Sequence, residues 1–241
     1  MQQPAMKQSW KRVMVKLSGE ALMGTQSHGL DAPTVKRIAA DLAKAAQSVE
    51  IGVVVGGGNF FRGIQGADKG IERARADSIG MLATVMNALA LEAAIEAEGK
   101  PCRALSAIAM PQICQPYSRQ AALNHMGKGR IVVLAGGTGN PFFTTDTGAA
   151  LRAAELSCDA VLKATQVDGI YTADPKHDAT ATRFHNLTHD EAISRNLAVM
   201  DTAAFALARE SKLPILVFSI REPGAITAAL AGQGNSTLVL P

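Results

Sequence analysis

The sequence predicts an α/β fold, a three-layer α/β/α sandwich built around a mostly parallel sheet. Short apolar runs alternate with longer segments of helical period along the 241 residues. Aromatic residues make up only 4% of the chain, so the core must be built from small and aliphatic side chains, which is typical of helices packed on a sheet. Glycine-rich turns follow several of the short runs, as expected where parallel strands lead into helices.

The N-terminal half is predicted to run strand, helix, strand, helix. Arg12–Leu17 is an apolar run typical of a strand, and Asp31 can cap the helix that follows, with Pro33 in its first turn. The β-branched run 51–55 is typical of a parallel strand covered on both faces. A long helix over about 72–98 comes next. Its apolar stripe consists of Ile79, Leu82, Met86, Leu89 and Ala93.

The C-terminal half continues the alternation. The stretch 163–178 is predicted to be a hairpin or an ordered loop, with Asp168 and Gly169 at its bend. We expect residues 1–11 to be a flexible N-terminal extension and residues 12–241 to form a single domain. Further strands are predicted at 102–105, 131–135, 160–163, 215–220 and 237–240, and helices near 118–126, 146–157, 188–196, 202–210 and 225–231.

Composition and charge exclude several classes of protein. Lys and Arg number 24 against 21 Asp and Glu, a net charge of +3, which is too balanced for a nucleic-acid coat or a polybasic membrane anchor. Three cysteines without a CxxC spacing fit neither a disulfide framework nor a structural zinc site. The sequence has no segment typical of a signal peptide or a membrane span. We therefore expect a cytoplasmic protein that binds neither nucleic acid nor a membrane.

Four glycine-rich or polar segments follow predicted strands, beginning at Lys16, Gly56, Gly136 and Lys163. In a parallel sheet all four meet at one edge, where the ligands of such sheets bind. Glycine lets backbone N–H groups approach phosphate oxygens closely. The chain lacks GxxxxGK[ST], and neither glycine cluster completes GxGxxG. The sequence thus predicts a site for two phosphorylated ligands that is neither a Walker A nor a Rossmann site.

Four charged residues are candidates for this site, and each has a simpler alternative. Lys16 and Lys163 end apolar strands, where a lysine can bind phosphate or merely extend its ammonium into water. Together they favour phosphoryl transfer, which needs compact positive charge. Asp146 is either a first-turn carboxylate favoured by the helix dipole or an anion that orients the two lysines. Asp77 is either a functional carboxylate or a solvated partner of neighbouring arginines.

The five histidines form no convincing set of metal ligands. His185 and His189 are four residues apart, but Thr188 and Glu191 form a T-x-x-E capping box that begins a helix between them. The two rings therefore do not share a helix face. Because no GxSxG or HExxH motif occurs either, we expect no metal site on the protein and a chemistry of positioning and charge.

Five stretches of the chain carry a family signature, namely residues 15–22, 55–63, 80–87, 137–146 and 163–175. The run GTGNPFFTTD at 137–146 and the glycine triplet at 56–58 are the most diagnostic. On these residues, from about residue 12 to the C-terminus, the sequence resembles the amino-acid kinase family in its bacterial UMP kinase branch. The resemblance implies the amino-acid kinase sandwich and transfer of the γ-phosphoryl group of ATP to UMP, with Mg²⁺, giving UDP and ADP.

The resemblance also implies roles for individual residues. Lys16 and Lys163 would stabilise the transferring phosphoryl group, and Asp146 would organise them. The ATP-binding positions would be Lys16, Leu17, Ser18, Gly19, Gly58, Arg62, Thr165, Tyr171 and Asp174. The UMP-binding positions would be Gly57, Asp77, Thr138, Gly139, Asn140, Pro141, Phe142, Phe143, Thr144 and Thr145.

Assembly and regulation are further implications of the resemblance. Members of this branch are typically homohexamers that GTP activates and UTP inhibits. The segment that matches the region linked to GTP activation consists of Gly24, Thr25, Gln26, Ser27, His28 and Gly29.

Two other functions compete with this interpretation. Another amino-acid kinase, one that phosphorylates a carboxylate or a carbamate, would keep Lys16 and the glycine turns but would not need Asp77 or the loop 138–145 to hold a nucleotide. A non-catalytic nucleotide- or oxyanion-binding protein of the same fold would tolerate the loss of Lys16 or Asp146. The presence of all these residues favours the nucleotide kinase.

Overall fold

The computed structural model describes residues 10–62, 70–173, 177–178, 180–195, 197 and 199–241. Its strands are β1 Arg12–Leu17, β2 Glu50–Val55, β3 Cys102–Ser106, β4 Gln115–Pro116, β5 Ile131–Ala135, β6 Ala160–Thr165, β7 Asn186–Thr188, β8 Ile215–Ser219 and β9 Ser236–Leu240. Its α-helices are α1 Ala32–Ala45, α2 Arg73–Ala97, α3 Arg119–Met126, α4 Thr145–Glu155, α5 His189–Ser194, α6 Thr202–Glu210 and α7 Ala225–Leu230.

The strands lie in one sheet in the order β4-β3-β5-β2-β1-β6-β8-β9-β7. Every neighbouring pair is parallel except β8 and β9, which are antiparallel, so β9 and β7 run against the other strands. All strands predicted from the sequence are present, while β4, β7 and the 3₁₀ turn Gly19–Leu22 are short elements that the hydrophobic pattern did not indicate.

Two hydrophobic layers cover the two faces of the sheet. On β1, Val13 and Val15 pack in the layer that contains α1, α2 and α7, whereas Met14 packs in the layer that contains α3, α4, α5 and α6. This alternation follows from the period of two in a strand. The predicted three-layer α/β/α sandwich with a mostly parallel sheet is therefore confirmed, and α4 lies on the face toward which Met14 points.

The predicted helix caps are also present. The Asp31 carboxylate accepts from the Thr34 amide at 2.9 Å at the start of α1. Thr188 and Glu191 form both hydrogen bonds of a capping box at the start of α5. These local contacts satisfy backbone N–H groups that have no partner within the helix, which is why short-range sequence signals located the helix starts well.

The apolar stripe predicted on α2 is not the face that packs on the sheet. Ile79, Leu82 and Met86 are 36%, 49% and 48% exposed, whereas Leu91 and Ile95 lie in the core. Most positions of this helix are apolar or small, so periodicity alone does not identify its buried side. We refer to Ile79, Leu82 and Met86 as the outer stripe.

Among the helices that the structure describes, α2 is the one that is long and apolar enough to cross a membrane by length and composition. It lies against β3, β5 and α1 within the sandwich. It also carries Asn87, which is fully buried and hydrogen-bonded to other protein groups. Its apolar character is accounted for in part by this packing, as in a core helix of a globular domain.

Candidate functional site

The carboxyl ends of four adjacent parallel strands carry the four predicted loop segments. In the sheet order these strands are β5, β2, β1 and β6, so the turns that follow Ala135, Val55, Leu17 and Thr165 lie side by side. The expected convergence at one edge is confirmed. The order also separates the site into two halves, since the turns after β5 and β2 lie on one side and those after β1 and β6 on the other.

The two predicted lysines flank one carboxylate at the centre of this edge. Lys16 Nζ lies 2.8 Å from Asp146 Oδ1 and Lys163 Nζ lies 2.5 Å from Asp146 Oδ2. Lys16 and Lys163 are register partners on β1 and β6, and they have the strand parity of Met14 and Val161, which face α4. Asp146 lies in the first turn of α4, so the helix presents its carboxylate directly to both ammonium groups.

Burial and charge act in opposite directions on these groups. Burial favours the neutral form of Asp146, but the nearby charges of Lys16 and Lys163 outweigh burial and hold the pKa of Asp146 below its usual value. Burial lowers the pKa of Lys163, Asp146 opposes this, and Lys16 adds to it. With both ammonium groups protonated and the carboxylate ionised, the cluster has a net positive charge in a largely buried position.

The glycine turns after β1 and β2 lie back to back. The Gly56 amide donates to the Leu17 carbonyl at 2.9 Å, and a Cβ on Gly19 would come within 2.8 Å of the Gly58 nitrogen. Ser18 caps the 3₁₀ turn by accepting from the Ala21 amide at 3.2 Å. Only glycine permits this approach, so the predicted ATP-binding turns at 16–19 and 58 form one continuous backbone surface.

The other predicted ATP-binding residues belong to the turn after β2 and to the segment after β6. Arg62 forms an ion pair with Glu20 beside Gly58. Thr165 closes a turn after β6 by accepting from the Val167 amide at 2.8 Å. Tyr171 donates its hydroxyl to Asp168 at 2.7 Å. Asp174, also predicted to bind ATP, lies outside the residues that the structure describes.

Seven of the ten predicted UMP-binding residues line a single cleft between α2 and the loop after β5. We call it the acceptor cleft. Gly139, Pro141 and Phe142 belong to the same loop but do not line the cleft. The lining residues are Gly57, Phe61, Asp77, Gly80, Met81, Thr84, Gly136, Gly137, Thr138, Asn140, Phe143, Thr144 and Thr145.

Asp77 combines the two roles considered for it. Its carboxylate pairs with Arg73 one helical turn earlier at 2.8 Å, as the salt-bridge alternative proposes. It also accepts from the Phe142 amide at 2.9 Å and lines the acceptor cleft with a side chain only 14% exposed. Phe142 has a φ of 71°, a strained value for a bulky residue, so Asp77 holds the loop in an unusual conformation.

Several polar residues with no role predicted from the sequence hold the glycine turns in place. The Thr84 hydroxyl accepts from the Gly136 amide at 2.7 Å. Asn87 donates to the Gly56 carbonyl at 2.6 Å and pairs reciprocally with Asn59. The signal that can find such residues is a polar side chain in an otherwise apolar helix pattern, because a buried polar group needs a partner.

Asp201 is a further residue without an expected role. It caps α6 by accepting from the Ala204 amide at 3.0 Å. Its carboxylate also accepts from the hydroxyls of Thr144 and Thr147. Thr144 in turn caps α4, so Asp201 fixes the start of the helix that carries Asp146.

The segment predicted to be linked to GTP activation lies next to the second glycine turn. The Gly29 amide donates to the Asn59 carbonyl, and the Asn59 side-chain amide donates to the Gly29 carbonyl, both at 2.9 Å. Gly24, Thr25, Gln26, Ser27 and His28 are exposed. Gly29 thus anchors the segment to Asn59, which also contacts Asn87.

This arrangement is suited to phosphoryl transfer. Glycine turns able to bind phosphate lie on both sides of a buried cluster with net positive charge, and a transferring phosphoryl group carries charge on its three equatorial oxygens. Among the described residues, no group of three His, Cys, Asp or Glu side chains lies close enough to hold a metal ion. Lys16 and Lys163 supply fixed positive charge, and the backbone of the glycine turns supplies positioning.

Comparison with known proteins identifies the family. The model of the amino acid kinase family matches residues 11–219. A uridylate kinase of Azorhizobium caulinodans is 63% identical over 233 residues, which cover 96% of this chain and 98% of that protein. A uridylate kinase of Nitrobacter hamburgensis is 59% identical over 232 residues, with 96% and 98% covered.

Solved structures agree with these relatives. The crystal structure of a UMP kinase from Bacillus anthracis has a TM-score of 0.92 and 38% identity, with 97% of each chain covered. That of a UMP kinase from Ureaplasma parvum also has a TM-score of 0.92, with 34% identity and 96% and 99% covered. With the family model matching most of its length and such relatives covering nearly all of it, the chain belongs to the amino acid kinase family and, within it, to the uridylate kinases.

Proposed function

We propose that the protein transfers the γ-phosphoryl group of ATP to UMP, giving UDP and ADP for pyrimidine nucleotide synthesis. The observation that carries this proposal is the position of the Lys16–Asp146–Lys163 cluster between two glycine-lined half-sites. The uridylate kinase relatives support UMP as the acceptor.

In this proposal each half-site holds one nucleotide. The turns after β1 and β6, which include Thr165, Tyr171 and Asp174, would hold ATP together with Gly58 and Arg62 from the turn after β2, and the acceptor cleft would hold UMP. Lys16 and Lys163 would bind the transferring phosphoryl group, whose charge is more widely spread in the transition state than in ATP. Asp146 would keep both ammonium groups in place and would not itself contact the substrate.

We further propose that Mg²⁺ arrives as a complex with ATP. Magnesium usually keeps several water ligands and binds through substrate phosphates and one or two carboxylates. The absence of a three-ligand cluster from the described residues is compatible with such binding. The chemistry that the ion supplies is neutralisation of charge on the β- and γ-phosphates.

The experiment that tests the proposal is phosphorylation with a defined set of acceptors. The purified protein is incubated with ATP and Mg²⁺ and, separately, with UMP, CMP, acetylglutamate or carbamate, and the products are separated by chromatography. We expect UDP in amounts equal to the ADP formed. Phosphorylation of only acetylglutamate or carbamate would contradict the acceptor assignment, and binding of nucleotides without turnover would favour the non-catalytic alternative.

Assembly and regulation belong to the same proposal. We propose a homohexamer in which the outer stripe of α2 is an interface between subunits. The apolar side chains of Leu82 and Met86 are each about half exposed, as expected for a surface that another subunit covers. GTP would activate the enzyme through the segment Gly24 to Gly29, which bonds to Asn59 beside the second glycine turn, and UTP would inhibit it. We place the enzyme in the cytoplasm, which suits its three buried free cysteines.

A further inference from the structure

A glycine lies in the interior of α2, the longest of the described helices, where it weakens the helix. Gly80 lies eight residues into α2, Arg73–Ala97. Glycine is unfavourable inside a helix because it loses more backbone freedom than alanine on folding. A helical position of this kind usually carries a side chain unless something nearby requires the space.

Within the described part of the chain, no protein group requires that space. A Cβ built on Gly80 would meet no heavy atom of the described residues within 4 Å, apart from its chain neighbours and the nearby backbone of its own helix. Gly57 provides the contrast, since its Cβ would lie 2.7 Å from the Gly80 carbonyl oxygen and 2.8 Å from Ala83 Cβ. Close packing therefore explains the glycine at 57 and does not explain the glycine at 80.

The space beside Gly80 belongs to the acceptor cleft. Gly80 lines the cleft, as do Asp77 three residues before it and Thr84 four residues after it. Residues spaced by three and four lie on the same face of a helix, so a side chain at 80 would extend into the cleft from the same helix face as Asp77 and Thr84. The outer stripe lies on the opposite face of α2 and does not share this space.

We infer that Gly80 is a specificity-determining position that leaves room for the nucleoside part of the acceptor. The inference rests on the proposed function and deepens it. Asp77 can accept hydrogen bonds from sugar hydroxyls, and the turns at Gly57 and Gly137 suit the phosphate, so the wall between them must be free of side chains. A smaller acceptor such as a carbamate would not need this space.

The test is Gly80→Ala, with Gly80→Leu as a larger second substitution. Alanine is expected to raise Tm by about 1 to 4 °C, because it removes the helix penalty of glycine. The same change is expected to raise the KM for UMP by about 5- to 100-fold, the usual effect of one intruding methyl group in a packed site. The KM for ATP should stay within about twofold, and leucine should raise the KM for UMP further.

A matched control is Ser78→Ala on the same helix. The Ser78 hydroxyl donates to the Ala74 carbonyl at 2.9 Å, and the side chain is exposed away from the cleft, so this variant should keep the KM for both substrates. A Gly80→Ala protein that is stabilised and keeps the wild-type KM for UMP would overturn the inference and leave the proposed function intact. Failure of the unaltered enzyme to form UDP would overturn both.

Discussion

Lys16 and Lys163 are register partners on two adjacent parallel strands, and their ammonium groups lie on the two oxygens of one carboxylate. Two positive charges that contact the same carboxylate repel each other strongly when both are buried. Asp146 offsets part of that repulsion but leaves one net positive charge. A phosphoryl group passing between the two nucleotides can use that remaining charge.

Replacing Lys16 is expected to reduce catalysis more than substrate binding. Lys16→Met keeps the apolar stem but removes the charge, and kcat should fall by about 10²- to 10³-fold, or about 3 to 4 kcal/mol, as for one preorganised electrostatic group. Steady-state kinetics and thermal melting measure both effects. The exposed Lys44 provides a control, since Lys44→Met should leave kcat unchanged. Normal kcat in Lys16→Met would make Lys16 only a strand-end lysine.

Replacing Asp77 is expected to affect the acceptor and not the donor. A hydrogen bond to a charged group contributes about 1.5 to 3 kcal/mol, so Asp77→Ala should raise the KM for UMP by about 10- to 150-fold while the KM for ATP changes little. The control is Arg73→Ala, which removes the ion pair with Asp77 and the contact of the Arg73 guanidinium over the Phe142 ring. The Arg73 side chain is 41% exposed, so the ion pair is weak. This variant should change the KM for UMP by less than about fivefold. A rise in the KM for ATP instead would place Asp77 in the donor half-site.

The pH dependence of kcat should report on Lys163. Its pKa lies below the usual 10.5, so the protonated form is lost, and kcat falls, as pH rises through that lowered value. Asp146 raises the pKa of Lys163, and Asp146→Asn removes this effect. The alkaline limb of the kcat profile should therefore move to lower pH in Asp146→Asn. Asp190→Asn, which changes an exposed carboxylate on α5, should leave the limb in place. An unmoved limb in Asp146→Asn would contradict this coupling.

The Thr84 hydroxyl is expected to act by positioning the turn after β5. Thr84→Val leaves the buried Gly136 amide without its acceptor, which should lower the free energy of unfolding by about 1 to 3 kcal/mol. It should also raise the KM for UMP, because fewer molecules hold the turn in the binding conformation. Thr84→Ser keeps the hydroxyl and should restore the KM. If serine and valine variants show the same KM, the hydroxyl does not position the turn.

The outer stripe should control assembly. Leu82→Glu places a charge within the exposed apolar surface of Ile79 and Met86, and it should shift the protein from hexamers to smaller species in sedimentation velocity experiments. Leu82→Met conserves size and polarity and should keep the hexamer. A Leu82→Glu protein that sediments like the unaltered one would show that this stripe is not an interface.

Local signals in the sequence were sufficient for most of the fold. The strand Ile131–Ala135 is buried on both faces, and its sequence is accordingly a continuous apolar run. In Arg12–Leu17 the same pattern is interrupted only by Lys16 after its first residue. Helix starts at Asp31 and Thr188 depend on hydrogen bonds to residues three positions away. Such features need no knowledge of distant parts of the chain.

The strand order and the side of each helix were decided only by tertiary packing. The apolar pattern of α2 has no single polar face, and the structure shows that Leu91 and Ile95 face the core while Leu82 and Met86 do not. The edge strand β7 has only three residues and pairs with β9 about fifty residues later. Neither feature has a local signal, because each depends on which surfaces other segments leave uncovered.

The candidate site likewise has features that the sequence indicates and features that depend on tertiary packing. The candidate residues are recognisable without a structure, since lysines such as Lys16 end an apolar strand and glycine clusters such as 56–58 follow one. Folding of the whole chain is what brings Lys16 and Lys163 to the same carboxylate of Asp146 and places Thr84 and Asn87 against the glycine turns. Hydrogen bonds and ion pairs act over about 3 Å, whereas the residues joined by these contacts lie from 17 to 130 residues apart along the chain, so no local pattern indicates them.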